Sequence, residues 1–177
     1  MKKIIIVNGL IAGAIVSSMF VITHPLYDKG VLNFDNGVVI GYISMVIALS
    51  LVFVGIKTYR DQHQKGVVTF GKGVQIGLLI TLIAAIVYAL SWEIYYNTVA
   101  PDFTQKYAQY YLAKMKSEGA SETEMAQMRT EMESLNEMYK NPLIRFAMTI
   151  AEIAPVGIVI TLISAALLRR KEFMPTP

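Results

Sequence analysis

Four long blocks of residues that carry almost no charge constrain this chain more than any other feature. They run from Ile4 to Thr23, Gly37 to Ile56, Gly73 to Tyr96 and Leu143 to Leu168. At 1.5 Å per residue, about 20 helical residues extend roughly 30 Å, the thickness of a bilayer's hydrocarbon core. With 54% hydrophobic residues gathered into such blocks, a water-soluble domain would have too much contiguous apolar surface to cover. The expectation is an all-α fold in which these blocks form a four-transmembrane-helix bundle. Lys2 and Lys3 before the first block resemble the start of a secretory signal. Its apolar stretch is longer than a signal's core, however, and Ala12, Gly13 and Ala14 lie in its middle, so it reads as a retained span.

Lysine and arginine placement sets the orientation. Lys2, Lys3, Lys57, Arg60, Lys65, Lys72, Arg169, Arg170 and Lys171 fall on one side, and the first loop on the other side holds only Lys29. The positive-inside rule then places both termini and the 57–72 loop in the cytoplasm. That basic loop is suited to anionic headgroups, with Tyr59 and Phe70 beside it at the interface. Pro25 is expected to end the first helix. Trp92, Tyr95 and Tyr96 are expected to form an aromatic belt. Small residues one turn apart recur at Gly9/Gly13, Gly37/Gly41, Gly73/Gly77 and Ala147/Ala151. They allow close helix approach within one monomer, or across a homodimer.

Between the third and fourth spans the character changes. Pro101 breaks the third span and Asp102 is placed to cap a new helix. Phe103, Tyr107, Tyr110, Tyr111 and Met115 recur at helical spacing. Glu118, Gly119 and Ala120 read as a turn, and Ser121 with Glu124 as a capping box. Met125, Met128, Met132, Leu135 and Tyr139 follow in alternating steps of three and four. Asn141 and Pro142 end that helix. Residues 102–140 are therefore expected to form a periplasmic helical hairpin whose methionine and tyrosine stripes face each other. Met125, Met128, Met132, Tyr107 and Tyr111 also form its candidate partner surface, because methionine surfaces adapt to many shapes.

Taken together, several segments look familiar. They are Gly55 to Asp61 (Gly-Ile-Lys-Thr-Tyr-Arg-Asp), Gly66 to Lys72 (Gly-Val-Val-Thr-Phe-Gly-Lys), Trp92 to Tyr95, Met115 to Ala120, Met138 to Pro142 and Glu152 to Gly157. With these segments the chain resembles, over nearly its whole length, the bacterial membrane proteins grouped as domain-of-unknown-function family 4199. The resemblance implies a four-span protein of the bacterial inner membrane. It brings no activity and no catalytic or ligand-binding residues to carry over.

Chemistry must then come from polar groups at membrane depth, which default to a functional hypothesis because they are costly there. Glu93 and Arg145 lie near span ends, where they can snorkel or pair with each other. Glu152 lies about 13 Å deep by residue count, three residues before Pro155, which is expected to kink its helix. Arg145, Thr149 and Glu152 share one helix face. Tyr88 and Ser44 are the depth-matched partners for Glu152. Glu93, Arg145, Glu152 and Tyr88 thus form the candidate intramembrane polar site. His24 and His63 fall at opposite faces and cannot share a site; His24 reads as a solvated helix end. There is no cysteine, no zinc-protease pattern, no nucleophile elbow and no phosphate loop, so no metal, cofactor or catalytic residue is assigned. Nucleic acid is not expected as a partner, since the net charge of +3 is accounted for by topology signals. The function expected is that of a non-enzymatic membrane protein acting through protein or lipid contacts, with the hairpin as interaction module. The alternative is a small proton-linked transporter or channel using Glu152.

The charge bias makes a direct prediction. Reporter fusions at residues 30 and 120 will read as periplasmic and fusions at 64 and 177 as cytoplasmic; a periplasmic C-terminus would overturn the orientation.

Overall fold

A computed structural model describes residues 1–64, 66–169 and 174. The described residues form six helices: α1 (Lys2–Asp28), α2 (Phe34–His63), α3 (Phe70–Thr98), α4 (Phe103–Ser117), α5 (Glu122–Lys140) and α6 (Pro142–Leu168). Each begins where a local signal allows. The Asn33 side chain accepts from Asn36 N, and the Thr69 side chain from Lys72 N. Ser121 and Glu124 form the full capping box. Gly119 takes a φ of +82°, which only glycine adopts freely, to turn α4 into α5. Asn141 closes α5 and caps α6, its side chain accepting from Leu143 N and Ile144 N, with Pro142 preorganised in the first turn.

α1, α2, α3 and α6 are each long and apolar enough to cross a membrane. Their packing supports that reading. Only 28% of the apolar stretch of α1 and of α6 is buried inside the protein, so apolar side chains face outward around the bundle, as lipid requires and water does not favour. α3 is the centre of the arrangement and packs against α1, α6 and α2. Its contact with antiparallel α6 is an interlock of small residues. A methyl group added at Gly73 would meet Ala165, at Gly77 it would meet Thr161, and at Gly157 it would overlap Thr81. Gly9 and Gly13 of α1 lie in the same way against Ile83 and Val87 of α3. These close approaches supply the dispersion contacts that hold helices together where lipid offers little hydrophobic drive.

Several expectations are corrected. Pro25 does not end α1, which runs on to Asp28. A proline in the last turn forfeits a single hydrogen bond, and the extra turn is held by Tyr27 packing on Phe34 at 5.7 Å between ring centroids. Asp102 marks the start of α4 but makes no side-chain cap; it pairs with Lys106 at 2.9 Å instead. Ala147 and Ala151 are exposed, and the small face of α6 is Gly157, Thr161 and Ala165. Gly41, unlike Gly37, has nothing within 4 Å of an added methyl. Trp92 is buried rather than lying in a belt. At the end of the bundle that carries the termini, α2 extends into the expected loop and Arg60 is 1% exposed. Arg60 donates to Asp61 at 2.7 Å and to the Met174 carbonyl at 2.5 Å, so it does not face lipid headgroups. Tyr59 is buried as well, stacked on His63. Lys65, Arg170 and Lys171 lie outside the described residues.

The α3–α6 interlock can be tested by size alone. Gly77→Leu will lower stability by about 1–3 kcal/mol, the usual cost of overpacking a tight contact. Gly41→Ala will leave the melting temperature unchanged or raise it slightly, since alanine favours helix and meets no neighbour there. Thermal unfolding of both variants in one detergent checks this; equal melting temperatures would rule the interlock out as a determinant of stability.

Candidate functional site

At the end of the bundle that carries the hairpin, Asn141 starts α6 so that Arg145, one turn in, points toward α3 and is 4% exposed. Arg145 Nε donates to Glu93 Oε1 at 2.8 Å and Nη2 to Oε2 at 2.5 Å, a two-pronged ion pair. Nη1 donates to the Tyr139 carbonyl at 2.6 Å, and the guanidinium lies 4.2 Å from the centre of the Tyr96 ring. One arginine thus ties α6 to α3 and to the end of α5. Of the two fates that depth allowed, pairing is the one adopted. The Tyr139 carbonyl had no signal in the sequence, because a main-chain acceptor carries no residue signature.

Above this clamp lies an aromatic cluster. The Phe20 ring stacks between Tyr88 and Tyr95, at 5.1 and 5.4 Å, and lies 5.1 Å from Trp92. Trp92 meets Phe103 of α4 edge-on at 5.0 Å. His24 is not a solvated helix end. Its Nδ1 is 2.9 Å from the Tyr95 hydroxyl and its Nε2 3.4 Å from Asp28.

The hairpin is docked on this end of the bundle. Phe34, at the start of α2, contacts Phe103, Tyr107 and Tyr110. Asp35 accepts from Tyr110 at 3.1 Å, from Tyr111 at 3.2 Å and from Lys114 at 2.6 Å. The tyrosine stripe therefore faces the bundle rather than α5. Only the methionine stripe stays within the hairpin: Met125, Met128 and Met132 are half-buried, and Met128 and Met115 line a small recess between α4 and α5. Thr104 donates to Asn136 at 2.8 Å to close the hairpin's base. Asp35 was not singled out from the sequence. With Asp28, Gly30, Asn33 and Asn36 it reads only as part of a turn-rich loop between the first two spans.

Between the hairpin and the four long helices is a cavity of about 860 Å³. Its walls come from α1, α2, α3 and α6, and α4 with Tyr139 forms its roof. Phe20, Trp92, Met45 and Tyr107 give it an apolar lining, while His24, Asp28, Asp102 and Lys106 lie toward the roof. Tyr88, Ser44, Thr149 and Glu152 line it deeper in the bundle. Most hydroxyls there are already committed: Ser44 donates to Gly41 O at 2.7 Å and Thr149 to Arg145 O at 2.9 Å. Of the two partners expected for Glu152, only Tyr88 reaches it, its hydroxyl donating at a long 3.4 Å. Glu152 is exposed and lines the cavity, and among the described residues it forms no ion pair. α6 continues as helix through Pro155. The four residues of the expected polar site thus fall into two pairs, Glu93 with Arg145 as a clamp and Tyr88 with Glu152 at the cavity. Among the described residues no three histidine or carboxylate side chains converge on a point where a metal ion would sit. Burial first, and the Glu152 carboxylate second, push the Tyr139 phenol up to about 12.

The family described as a protein of unknown function (DUF4199) matches residues 8–170. No curated protein and no solved structure matches the chain.

The docked hairpin responds to alkali. Lys114 is held above its ordinary pKa, chiefly by its hydrogen bond to Asp35, and burial pushes the Tyr111 phenol up. For a group whose folded pKa is raised, the stabilisation is complete below the unfolded value, about 10.4 for lysine, and is lost as pH rises through the folded value. The chain has no cysteine, so spin labels on Lys29→Cys and Ala113→Cys report one distance. That distance will be narrow at pH 7 and broaden above roughly pH 10, and Asp35→Asn will broaden it already at neutral pH. A narrow distance under all three conditions would exclude Asp35 as the hairpin's anchor.

Proposed function

The chain belongs to the DUF4199 family, whose description assigns no function, and from that premise we propose that it is a non-enzymatic multi-pass membrane protein that holds a lipid-like ligand beneath its hairpin. The observation that carries this reading is the cavity of about 860 Å³ between the bundle and the docked hairpin. That volume lies within the range of about 300–1,000 Å³ typical of small-molecule sites, and the lining has their character, mostly apolar with a few placed polar groups. The hairpin is the interaction module: α4 supplies the roof, and the exposed carboxylates of α5 are left to meet a protein partner or a second copy. The family resemblance and the charge bias favour the bacterial inner membrane, with both termini cytoplasmic and the hairpin periplasmic.

A binding role suits the chemistry presented to the cavity better than an enzymatic one. Ser44, Thr149 and Thr23 turn their hydroxyls to carbonyls of their own helices. A nucleophile needs a base at its hydroxyl, and none of these has one. One observation favours a second reading, a small proton-linked transporter or channel: Glu152 faces the cavity at membrane depth, a position that carries protons in pumps.

Gly41 lines the cavity and has nothing within 4 Å of an added methyl, so Gly41→Leu directs a side chain into that space, and an unchanged melting temperature will confirm that the variant is folded. Native mass spectrometry of the wild type released from mild detergent will show a retained lipid-like adduct, reduced at least severalfold in Gly41→Leu. An adduct indifferent to that substitution would remove the cavity as its binding place. For the second reading, proteoliposomes under a pH gradient decide: proton flux present in the wild type and abolished in Glu152→Gln would favour transport over binding. The expected result is no flux in either.

A further inference from the structure

Resting on the cavity reading above, we infer that the ligand is a single-chain amphiphile with a cationic end, a hydrophobic ammonium, and that Glu152 is its counter-charge. The charges that line the cavity point this way. Asp102 is neutralised by Lys106 at 2.9 Å, and Asp28 stands 3.4 Å from His24. Among the described residues Glu152 has only the long hydrogen bond from Tyr88. A carboxylate accepts at about four positions, so most of its capacity is unused and open to the cavity. The nearest candidate to fill it from within the protein would be Arg145, on the same face of α6. Arg145 is fully committed, however: Nε and Nη2 to Glu93, Nη1 to the Tyr139 carbonyl, and its flat face to Tyr96. It cannot turn toward Glu152 without leaving Glu93 buried and unpaired.

The sign of the lining selects the ligand's sign. Three carboxylates, Asp28, Asp102 and Glu152, line the cavity with Lys106 and His24; Lys106 and His24 stand beside Asp102 and Asp28, so a fatty acid or an anionic phosphate would meet the like charge of Glu152. A neutral amphiphile fits the apolar walls but brings no charge to Glu152, leaving it with the long hydrogen bond from Tyr88. A small hydrated cation would lose its water among Phe20, Met45 and Trp92. An alkylated ammonium carries its own apolar coat into the apolar lining and places its charge at Glu152.

The chain's only tryptophan is Trp92, and it lines the cavity, so its emission reports occupancy directly. Full-length protein in nanodiscs of zwitterionic lipid would be titrated with three probes of equal chain length: decyltrimethylammonium, decanol and decanoate. Partition into the lipid is the same for every variant, so differences between variants report the site. The wild type will bind decyltrimethylammonium at least tenfold more tightly than decanol, with decanoate weakest. Glu152→Gln will bring the cation down to the level of decanol, whereas Glu152→Asp, which keeps the carboxylate, will retain a preference. Gly41→Leu will weaken all three alike. Equal binding of the three probes by the wild type, or a cation preference that survives in Glu152→Gln, would overturn the proposal while leaving the cavity reading intact. Absence of any saturable response to all three probes in the wild type would overturn both.

Discussion

The arrangement depends on the clamp that Arg145 makes at the end of the bundle facing the hairpin. An arginine at the centre of a membrane helix costs about 2.5–3.5 kcal/mol to insert by itself, and Arg145, one turn into α6, carries a smaller share of that cost. Stripping one partner from a buried ion pair costs about 3–5 kcal/mol. Here each of the three guanidinium nitrogens donates, two to Glu93 and one to the Tyr139 carbonyl, and its face rests on Tyr96. The clamp fixes where α6 begins relative to α3 and where α5 must end. It also ties up Arg145, which shares a face of α6 with Glu152. The polarity of the cavity therefore follows from a bond made one and two turns away.

Residue size along the helices explains why a cavity exists at all. Toward the termini, α3 meets α6 through Gly73, Gly77 and Gly157, and backbones come close. Toward the hairpin the same helices carry Tyr88, Trp92 and Tyr95, and α1 brings Phe20 among them. The cavity lies among these larger side chains, and the hairpin covers it. Phe34 and Asp35 hold the hairpin there by an aromatic cluster and a carboxylate that accepts three hydrogen bonds.

The binding reading and the transport reading share one residue and differ in what it must do. A counter-charge must stay in place and accept; a proton carrier must release and regain. The long contact with Tyr88 is compatible with a carboxylate waiting for a stronger partner. The continuous course of α6 through Pro155 shows no break in the helix at the depth where transporters unwind to coordinate ions.

The sequence by itself determined the elements: four long apolar helices, a hairpin turning at Gly119 and a capping box at Ser121, although α1 and α2 run on five and seven residues past the ends of their apolar blocks. These are local properties, set by hydrophobic period, glycine's access to positive φ and side-chain capping within four residues. Even locally, one rule misled: Pro25 was read as a stop, but a single lost hydrogen bond in a last turn is too small to stop a helix that gains an aromatic contact beyond it. Tertiary structure alone decided which partners met. The tyrosine stripe could have faced α5 or the bundle, and Asp35, some 75 residues away in sequence, drew it to the bundle. Ala147 and Ala151 had the spacing of a packing face, yet Gly157, Thr161 and Ala165 became that face because α3 presents its own glycines at their level. Arg145 and Glu152 lie on one helix and one face; the sequence allowed them to act together, and Glu93 separated them by offering the arginine a two-pronged partner. Spacing along a chain encodes the faces of a helix, but which face is covered depends on neighbours whose approach is set by side-chain size and charge across the bundle.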